Sequence, residues 1–364
     1  MLLLFACTDE NHGAKVPEDD TAVDSGVWTD TAPDTGGDSA IDSAEPRPGA
    51  LDVCAASGTS LTEAWSGRVD GVDAPTRMAW HDGLLALVND HRVVHVVELD
   101  EAKFAPSPVF SWEVFDRWPD LYFRDDGLLV VAGEYSLYGF WPREGETVGY
   151  QDPPKDEPIA AISPAPEGAR AVSAAGIYAH DPEAFEGAID VITAPFARPL
   201  VATGREGTAH SRGEAWVAGT DESGAPMLGY DDGTGGGYAI VTPFPSAFGD
   251  PVSVVLVPGD GVLVAGGPDG YGWFARVDGG GVLTAFAQYE SPGISRLAVS
   301  EGSAYGWTSF DGMGVFATHL DAPDYRLLTE EDDVVDLVVD PVGEWLLTAS
   351  GDGTLRRWAC VVEG

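Results

Sequence analysis

A glycine-led unit recurs along residues 57 to 361, and this repeat limits what the chain can fold into. In each unit a turn ends in glycine and leads into a short apolar strand. The spacings between successive glycines are 44, 41, 45, 48, 41 and 41 residues. The seven glycines are Gly83, Gly127, Gly168, Gly213, Gly261, Gly302 and Gly343. Repeats of this length are typical of folds in which each repeat is one supersecondary unit packed against the next.

The units share an internal plan. An apolar strand comes first, followed by the glycine-led strand, a tight turn with Asp or Gly, a third strand with aromatic residues, and a fourth, more polar strand. Four strands in 40 to 45 residues are typical of one blade of a β-propeller. The sequence therefore predicts an all-β fold, a seven-bladed β-propeller over residues 51–364. A pair of β-sandwich domains is the alternative, but sandwiches do not require such even spacing.

The last unit carries a family resemblance. Residues 334–358 contain a Pro-x-Gly turn at Pro341, the hairpin Ala-Ser-Gly-Asp-Gly-Thr around Asp352, and Trp358 at the end of the third strand. This segment resembles a WD40 repeat, which implies that Asp352 forms hydrogen bonds within the blade and that Trp358 closes its third strand. Two departures are Ala359, where a WD40 repeat has Asp, and the lack of a Gly-His dipeptide in any unit. The resemblance implies a WD40-like propeller.

Ring closure predicts a covalent link. The last unit has three strands, and residues 60–69, with strand-like alternation around Leu61 and Trp65, are expected to add the fourth. Joining the two ends in one blade removes loose sheet edges. Cys54 precedes this strand, and Cys360 ends the third strand of the last unit. Antiparallel pairing brings those two positions side by side, so we expect a Cys54–Cys360 disulfide; two buried thiols are the alternative.

The first seven residues predict a cellular address. Residues 1–7 are a short apolar run that ends at Cys7. The last four, Leu-Phe-Ala-Cys, resemble the lipobox of bacterial lipoproteins, which implies that a truncated signal segment ends at Cys7 and that Cys7 is acylated. The expected location is the bacterial cell envelope, on a lipid anchor, facing the periplasm or the cell surface. The alternative is an ordinary apolar N-terminus.

Residues 8–50 are rich in Asp, Ser, Thr, Gly and Pro and contain an imperfect four-residue repeat from Asp30. Such a segment cannot bury enough apolar surface to offset its ordering entropy, so we expect a disordered acidic tether. Calcium loops place oxygen ligands at alternate positions, and this repeat does not. A calcium site is therefore not favoured.

The charge excludes several classes of partner. The chain has 60 acidic and 19 basic side chains and a formal net charge of −41, of which residues 51–364 carry −32 from 49 acidic and 17 basic groups. This charge repels nucleic acids and anionic membrane surfaces. No lysine follows a glycine, which excludes a P-loop. An Asp-rich, Lys-poor folded surface suggests adaptation to saline surroundings, where ions screen self-repulsion.

The chain carries few residue patterns that indicate catalysis or metal binding. The chain has no Gly-x-Ser-x-Gly, His-Glu-x-x-His or Cys-x-x-Cys motif. His91 and His95 lie four apart near a strand, where same-face positions are about 13 Å apart, too far to share a metal. Adjacent acidic pairs are more typical of solvated turns than of a catalytic dyad. A run of aromatic residues is more typical of packing between blades than of a binding platform. The pairs are Asp125–Asp126, Asp231–Asp232 and Asp332–Asp333; the aromatic residues are Trp112, Trp118, Tyr122, Phe123, Tyr135, Tyr138, Phe140 and Trp141.

Two functions remain open. The first is a monomeric, non-catalytic binding or scaffold module for a protein or a surface glycan, with no catalytic, metal or cofactor residue. The second is a propeller enzyme, a lactonase or a glycan-active hydrolase, with carboxylates or a divalent cation in the central channel. Three or more carboxylates or histidines converging at the channel axis would favour the enzyme.

Overall fold

The computed structural model describes residues 48–69, 71–72, 75–89, 93–99, 106–113, 120–124, 126–133, 136–151, 159–165, 168–173, 176–180, 191–192, 198–202, 215–223, 225–231, 239–243, 250–257, 261–266, 272–278, 282–289, 294–300, 303–310, 313–321, 325–331 and 333–361. The predicted signal segment with Cys7, and the predicted tether up to residue 47, lie outside the described residues.

The described chain consists almost entirely of short strands. The helix α1 spans Ala50–Ser57. The strands are β1 (Thr62–Arg68), β2 (Pro75–His81), β3 (Leu84–Asn89), β4 (Val93–Leu99), β5 (Pro106–Glu113), β6 (Asp120–Phe123), β7 (Leu129–Ala132), β8 (Leu137–Trp141), β9 (Glu146–Gln151), β10 (Ile159–Ala165), β11 (Gly168–Ser173), β12 (Gly176–His180), β13 (Val191–Ile192), β14 (Arg198–Ala202), β15 (Ala215–Thr220), β16 (Pro226–Asp231), β17 (Ala239–Pro243), β18 (Pro251–Leu256), β19 (Val262–Gly266), β20 (Gly272–Val277), β21 (Leu283–Tyr289), β22 (Ile294–Val299), β23 (Tyr305–Phe310), β24 (Gly314–His319), β25 (Tyr325–Thr329), β26 (Val334–Val339), β27 (Trp345–Ser350) and β28 (Thr354–Ala359).

Among the described residues these strands form seven four-stranded antiparallel sheets. Six sheets use consecutive strands, from blade 1 (β2 to β5) through blade 6 (β22 to β25). Blade 7 has the order β1-β28-β27-β26 and so joins both ends of the described chain. The first strands β2, β6, β10, β14, β18, β22 and β26 each contact the first strands of two neighbouring blades, which closes a ring. The prediction of an all-β propeller is confirmed.

The inner strands of a blade are more buried than its outer strand. Every residue of the second strands β3 and β27 is buried, as expected for strands that read as continuous apolar runs. The fourth strands β1 and β5 are mostly exposed. The core lies between blades, since each cluster of buried side chains combines neighbouring sheets; one such cluster contains Trp307 of blade 6, Leu337 of blade 7 and Leu51 of α1.

The glycine that leads the second strand meets a backbone requirement in four blades, where Gly83, Gly127, Gly261 and Gly343 all have a positive φ. Gly261 has a φ of 82°, and a Cβ atom there would lie 2.0 Å from the carbonyl oxygen of Val277. Gly343 has a φ of 74°, and its N–H donates to the Asp340 carbonyl at 2.8 Å to close the turn. Left-handed backbone is cheap only for glycine, which explains why the repeat is easiest to see at this residue.

Blade 7 is completed by strand β1, which lies within the segment 60–69 predicted for this role. Its pairing with β28 runs from Thr62 opposite Ala359 to Arg68 opposite Thr354. The turns between first and second strands of all blades define one face of the ring, here called the first-turn face. The turns between second and third strands define the opposite, second-turn face.

The helix α1 was not predicted, and it places Cys54 on a helix rather than in an extended lead-in to the strand. Eight residues are too few to show helical periodicity in the sequence, and isolated helices of this length are not stable. Burial stabilises this one, because Leu51, Cys54 and Ala55 are fully buried against blades 6 and 7. Gly58 ends the helix with a φ of 72°. No helix in the described part of the chain has the length and apolarity needed to cross a bilayer.

Candidate functional site

Polar side chains lie at equivalent positions of several first strands, near the axis of the ring. They are Arg77, Asp120, Ser253, Arg296 and Asp336. In blades 1, 5, 6 and 7 the position directly follows a shift in pairing register. In three cases the side chain accepts a hydrogen bond from a backbone N–H of the next blade: Ile162 N–H to Asp120 Oδ2 at 3.4 Å, Leu297 N–H to Ser253 Oγ at 3.2 Å, and Met78 N–H to Asp336 Oδ2 at 2.6 Å. These groups link blade to blade.

Asp336 is the most buried member of this axial set, with no exposed surface. Its Oδ1 atom accepts from Arg296 Nε at 2.9 Å and from its neighbour Leu337 N–H at 3.0 Å. With Met78 N–H on the other oxygen, one carboxylate connects blades 6, 7 and 1. A buried carboxylate with an arginine partner and two backbone donors is an electrostatically satisfied joint. These partners occupy the carboxylate and make Asp336 unsuited to act as a reactive group.

The described residues contain no group of three or more His, Cys, Asp or Glu placed to hold a metal ion. The described axial positions include two carboxylate–arginine pairs: Arg77 Nε lies 4.0 Å from Asp120 Oδ1, and Arg296 pairs with Asp336. The axial arrangement can therefore hold blades in register, and the convergence of carboxylates expected for the enzyme alternative is not found in this part of the chain.

A second polar cluster lies inside blade 7. The Glu331 carboxylate accepts hydrogen bonds from Thr348 Oγ1 at 2.7 Å, Ser350 Oγ at 2.9 Å and Arg356 Nη1 at 2.5 Å. The indole Nε1 of Trp358 donates to Thr348 Oγ1 at 3.0 Å. Trp358 thus closes the third strand through a relay that ends at a buried carboxylate. Glu331 was not predicted from the sequence. The pattern that could have identified it is an acidic residue just before the first strand of a blade that lacks the Gly-His dipeptide.

Asp352 occupies the hairpin turn of the same blade on the second-turn face. Thr354 N–H donates to its Oδ1 at 2.9 Å, and Arg68 of β1 lies 2.7 Å from its Oδ2. Hydrogen bonds from Thr354 and the nearby Arg68 hold the pKa of Asp352 below its usual value. These contacts all fall within blade 7, as the WD40 resemblance implies for this residue.

Cys54 and Cys360 form a disulfide with an S–S distance of 2.05 Å and a Cα–Cα distance of 5.8 Å. The bond joins α1 to the residue that follows β28. Cys54 is fully buried and Cys360 is half-buried. This geometry is the one expected from antiparallel closure of the last blade.

The helix α1 is fixed to the first-turn face by polar contacts as well. Ser303 Oγ donates to Asp52 Oδ1 at 2.5 Å, and Ala304 N–H donates to Oδ2 at 3.3 Å. Burial raises the pKa of Asp52 above its usual value, against the opposing effect of these hydrogen bonds and of His319. Arg326 Nη1 donates to the last carbonyls of the helix, those of Ala55 and Ala56.

The structure describes only one of the two histidines considered as metal ligands. His91 lies outside the described residues, and His95 is half-buried on β4. Its Nε2 atom is buried and has no hydrogen-bond partner among the described residues, and burial lowers the pKa of the ring. The ring contributes to a cavity of about 330 Å³ that is otherwise lined by Val69 and by parts of β4 and β5. The lining is mainly apolar.

The aromatic run mostly packs between blades 1 and 2. Tyr122, Tyr138 and Phe140 are buried, and the rings of Trp112 and Phe140 meet edge to face at 4.5 Å. Phe123 and Trp141 are half-buried, and Trp118 and Tyr135 lie outside the described residues. The described aromatic residues therefore serve packing rather than an exposed platform.

The acidic pairs are each described only in part. Asp126 forms an ion pair with Arg124, and the hydrogen bond from that arginine holds the pKa of Asp126 below its usual value. Asp333 lies in a turn, where its carbonyl accepts from Gly351 N–H at 3.1 Å. Asp231 ends β16, while Asp125, Asp232 and Asp332 lie outside the described residues. The two described turn carboxylates are not arranged as a catalytic dyad.

Comparisons with known proteins agree with this architecture. No protein-family model and no curated protein sequence matches the chain. Among solved structures, the WD40 domain of Neurospora crassa Pan2 superposes with a TM-score of 0.64 at 12% sequence identity. The match covers 84% of this chain and 97% of that domain. At this identity the likeness speaks for the fold alone. The chain therefore has a WD40-like β-propeller fold.

Proposed function

We propose that this protein is a non-catalytic binding module, a seven-bladed propeller that holds a protein or surface-glycan partner at the bacterial cell envelope. The observation that carries the proposal is the WD40-like fold, since propellers of this kind generally mediate protein interactions. The polar groups at the described axial positions support it, because they pair with one another and with backbone N–H groups instead of converging on an open site.

The proposed address rests on the N-terminal sequence. Acylation of Cys7 would attach the propeller to a membrane, and residues 8–50 would serve as the spacer. Stable anchoring takes more than one lipid chain, as a single chain binds only marginally. Wild-type protein expressed in a bacterial host should partition into the detergent phase with a mass increase at Cys7, and Cys7→Ser protein should stay aqueous. Aqueous partition of both proteins would refute the anchor and leave the binding role untouched.

The second-turn face is the proposed docking surface. The helix α1 covers part of the first-turn face at blades 6 and 7, where Leu51 N–H donates to the Gly343 carbonyl at 2.9 Å. The second-turn face carries Asp352, whose side chain is 55% exposed. A folded region with net charge −32 would recognise a partner with a basic contact surface.

Charge reversal at one exposed acidic residue on each face tests the docking surface. We expect Asp352→Lys to reduce recovery of the partner captured by the wild-type propeller from envelope extract, and Glu344→Lys, on the first-turn face, to leave recovery unchanged. Binding should also weaken with added salt, because charge pairing is screened. Equal recovery with both variants would place docking elsewhere. Turnover of a lactone or a glycan by the purified protein would favour the enzyme instead.

A further inference from the structure

The N-terminal part of the described chain, residues 48–69, forms one closing segment made of α1 and β1. Two covalent connections join it to the blades. The chain continues after Val69 into blade 1, and the Cys54–Cys360 disulfide joins α1 to the end of β28. Without the disulfide, the segment would be held by covalent bonds at one end only.

The strand of the closing segment is weakly packed. As the outermost strand of blade 7, β1 pairs with β28 and with no other strand in the described part of the chain, and most of its residues are exposed. Its ion pairs are at the surface: Arg68 and Asp352 are 60% and 55% exposed, and Glu63 lies 3.6 Å from Arg356. Exposed pairs of this kind contribute little to stability. Trp65 is the large apolar side chain of β1 and packs against the core between blades 7 and 1, where it is only half-buried. Ladder hydrogen bonds therefore hold β1 more than side-chain burial does.

Burial in the closing segment is concentrated in α1 and the residue before β1. Leu51 and Ala55 are fully buried, and Leu61 is 6% exposed. Leu61 N–H donates to the Leu328 carbonyl of blade 6 at 2.8 Å. Because one short segment makes all these contacts, losing some of them exposes the rest. The segment is thus a candidate for cooperative local opening.

Val69 and Val72 mark where such an opening would stop. They are 5% and 3% exposed and belong to the core between blades 7 and 1. Opening of residues 48–68 would remove Trp65 from the edge of this core but leave its buried members, and the first strands around the axis, in place. Asp336 would still bind Arg296 and Met78 N–H, so the ring joint between blades 7 and 1 would persist.

We propose that the Cys54–Cys360 disulfide is a redox-controlled latch on the closing segment. In the oxidised protein the bond keeps blade 7 four-stranded. A dithiol reductant supplies two electrons and two protons, the S–S bond becomes two thiols, and the dithiol becomes its cyclic disulfide. Reduction thereby shifts the equilibrium toward local opening of the closing segment, which leaves β28 as an unpaired sheet edge while blades 1 to 6 stay folded.

The size of the effect follows from the loop that the bond closes during local opening. Cys54 and Val69 are 15 positions apart. In the chain-entropy model, releasing a closed loop of this length raises the opening equilibrium by about a hundred-fold. Hydrogen exchange that proceeds through local opening should accelerate by the same factor.

Hydrogen exchange followed by mass spectrometry tests the latch on the full chain, with and without dithiothreitol. We expect peptides covering residues 60–69 to exchange about a hundred-fold faster after reduction. Peptides covering β19 and β27 should be unchanged. Without any reductant, the Cys54→Ser/Cys360→Ser protein should exchange at the same rates as the reduced wild type. This comparison separates the loss of the disulfide from other effects of dithiothreitol.

A matched control separates local opening from general destabilisation. Leu263→Ala truncates a buried side chain in the core between blades 5 and 6, which contains no residue of the closing segment, and leaves the disulfide intact. It should not accelerate exchange in residues 60–69 selectively. Unchanged protection of residues 60–69 on reduction would overturn the latch, and so would a parallel loss of protection in every blade. If the double serine variant does not fold, the reduced wild type alone decides.

Discussion

At the scale of single residues, burial decides what an ion pair contributes. Arg296 and Asp336 pair at 2.9 Å with 10% and 0% of their side chains exposed. Arg143 and Asp82 pair at 3.1 Å with 51% and 71% exposed. The two pairs have the same chemistry, but water and salt screen only the second.

One substitution made at both arginines measures this difference. Arg296→Met leaves the buried Asp336 carboxylate without its charged partner, so we expect a loss of about 3–5 kcal/mol in the free energy of unfolding. Arg143→Met should cost no more than about 1 kcal/mol. Chemical denaturation of both variants provides the comparison. Equal losses would mean that the axial joint is not electrostatically important.

The two carboxylates with opposite pKa shifts predict opposite pH dependence. The pKa of Asp52 is raised by burial, so its contribution to stability is fully present below the unfolded value of about 3.9 and is lost as pH rises through the folded pKa. The pKa of Asp126 is lowered by Arg124, so its contribution is present above that value and is lost as pH falls. The stability of Asp52→Asn relative to wild type should therefore increase with pH, and that of Asp126→Asn should decrease. Denaturant unfolding over a pH series checks both slopes, and two slopes of the same sign would contradict the assignment.

At the scale of elements, blade 7 is organised by a hydroxyl that sequence periodicity does not reveal. Thr348 lies on the all-buried strand β27, where its Oγ1 accepts from Trp358 and donates to Glu331. Thr318 on β24 is also buried, yet its hydroxyl has no hydrogen-bond partner among the described residues. The Thr348 hydroxyl thus joins a hydrogen-bond network in blade 7, whereas the Thr318 hydroxyl in blade 6 is buried without a partner in the described part of the chain.

Valine substitution at each threonine distinguishes these roles. Thr348→Val leaves a buried indole N–H and a buried carboxylate short of a partner and should destabilise the protein by about 1–3 kcal/mol. Thr318→Val replaces an unsatisfied hydroxyl with a methyl group of the same shape and should be neutral or slightly stabilising. Thermal midpoints of the two variants provide the test. A loss at Thr318 as large as that at Thr348 would argue against the relay in blade 7.

Sequence patterns predicted the strands and the closing strand more readily than the groups that join them. Glycine spacing and apolar runs are local signals, and residues 60–69 could be assigned because the last unit lacked a strand. The helix α1 could not be predicted from eight residues whose stability comes from burial against blades 6 and 7. Glu331 and Asp336 could not be assigned either. Their partners, Arg356 and Arg296, are distant from them in the chain and belong to no recognisable sequence motif.

At the scale of the whole molecule, most of the excess negative charge belongs to the region that contains the propeller. The region 51–364 carries −32 of the formal net charge of −41, and the buried carboxylates among its described residues are Asp52, Glu331 and Asp336. Asp336 and Glu331 pair with arginines, and Asp52 accepts hydrogen bonds from Ser303 and Ala304. The excess negative charge must therefore lie mainly at the surface, where like charges repel one another and favour unfolding.

Salt should relieve this repulsion. We expect the thermal midpoint of unfolding to rise with sodium chloride concentration, because counterions screen the negative surface. Potassium chloride at equal ionic strength should give the same rise if screening is the cause. A midpoint that is flat or falls with salt would contradict adaptation to saline surroundings. Calorimetry with the disulfide intact is the suitable measurement, since reduction changes the molecule itself.

The sequence by itself determined the all-β repeat, the closing strand and the pairing of Cys54 with Cys360, because each follows from periodicity along the chain and from the need to leave no open sheet edge. Only the tertiary structure decided that α1 seals blades 6 and 7 and that Asp336 joins blade 7 to blade 1. These contacts connect residues far apart in the chain: Met78 and Asp336 are 258 positions apart, and Ala55 and Arg326 are 271 positions apart. Such contacts depend on desolvation and hydrogen-bond geometry that arise when the ring closes, and those quantities have no local signature in a sequence.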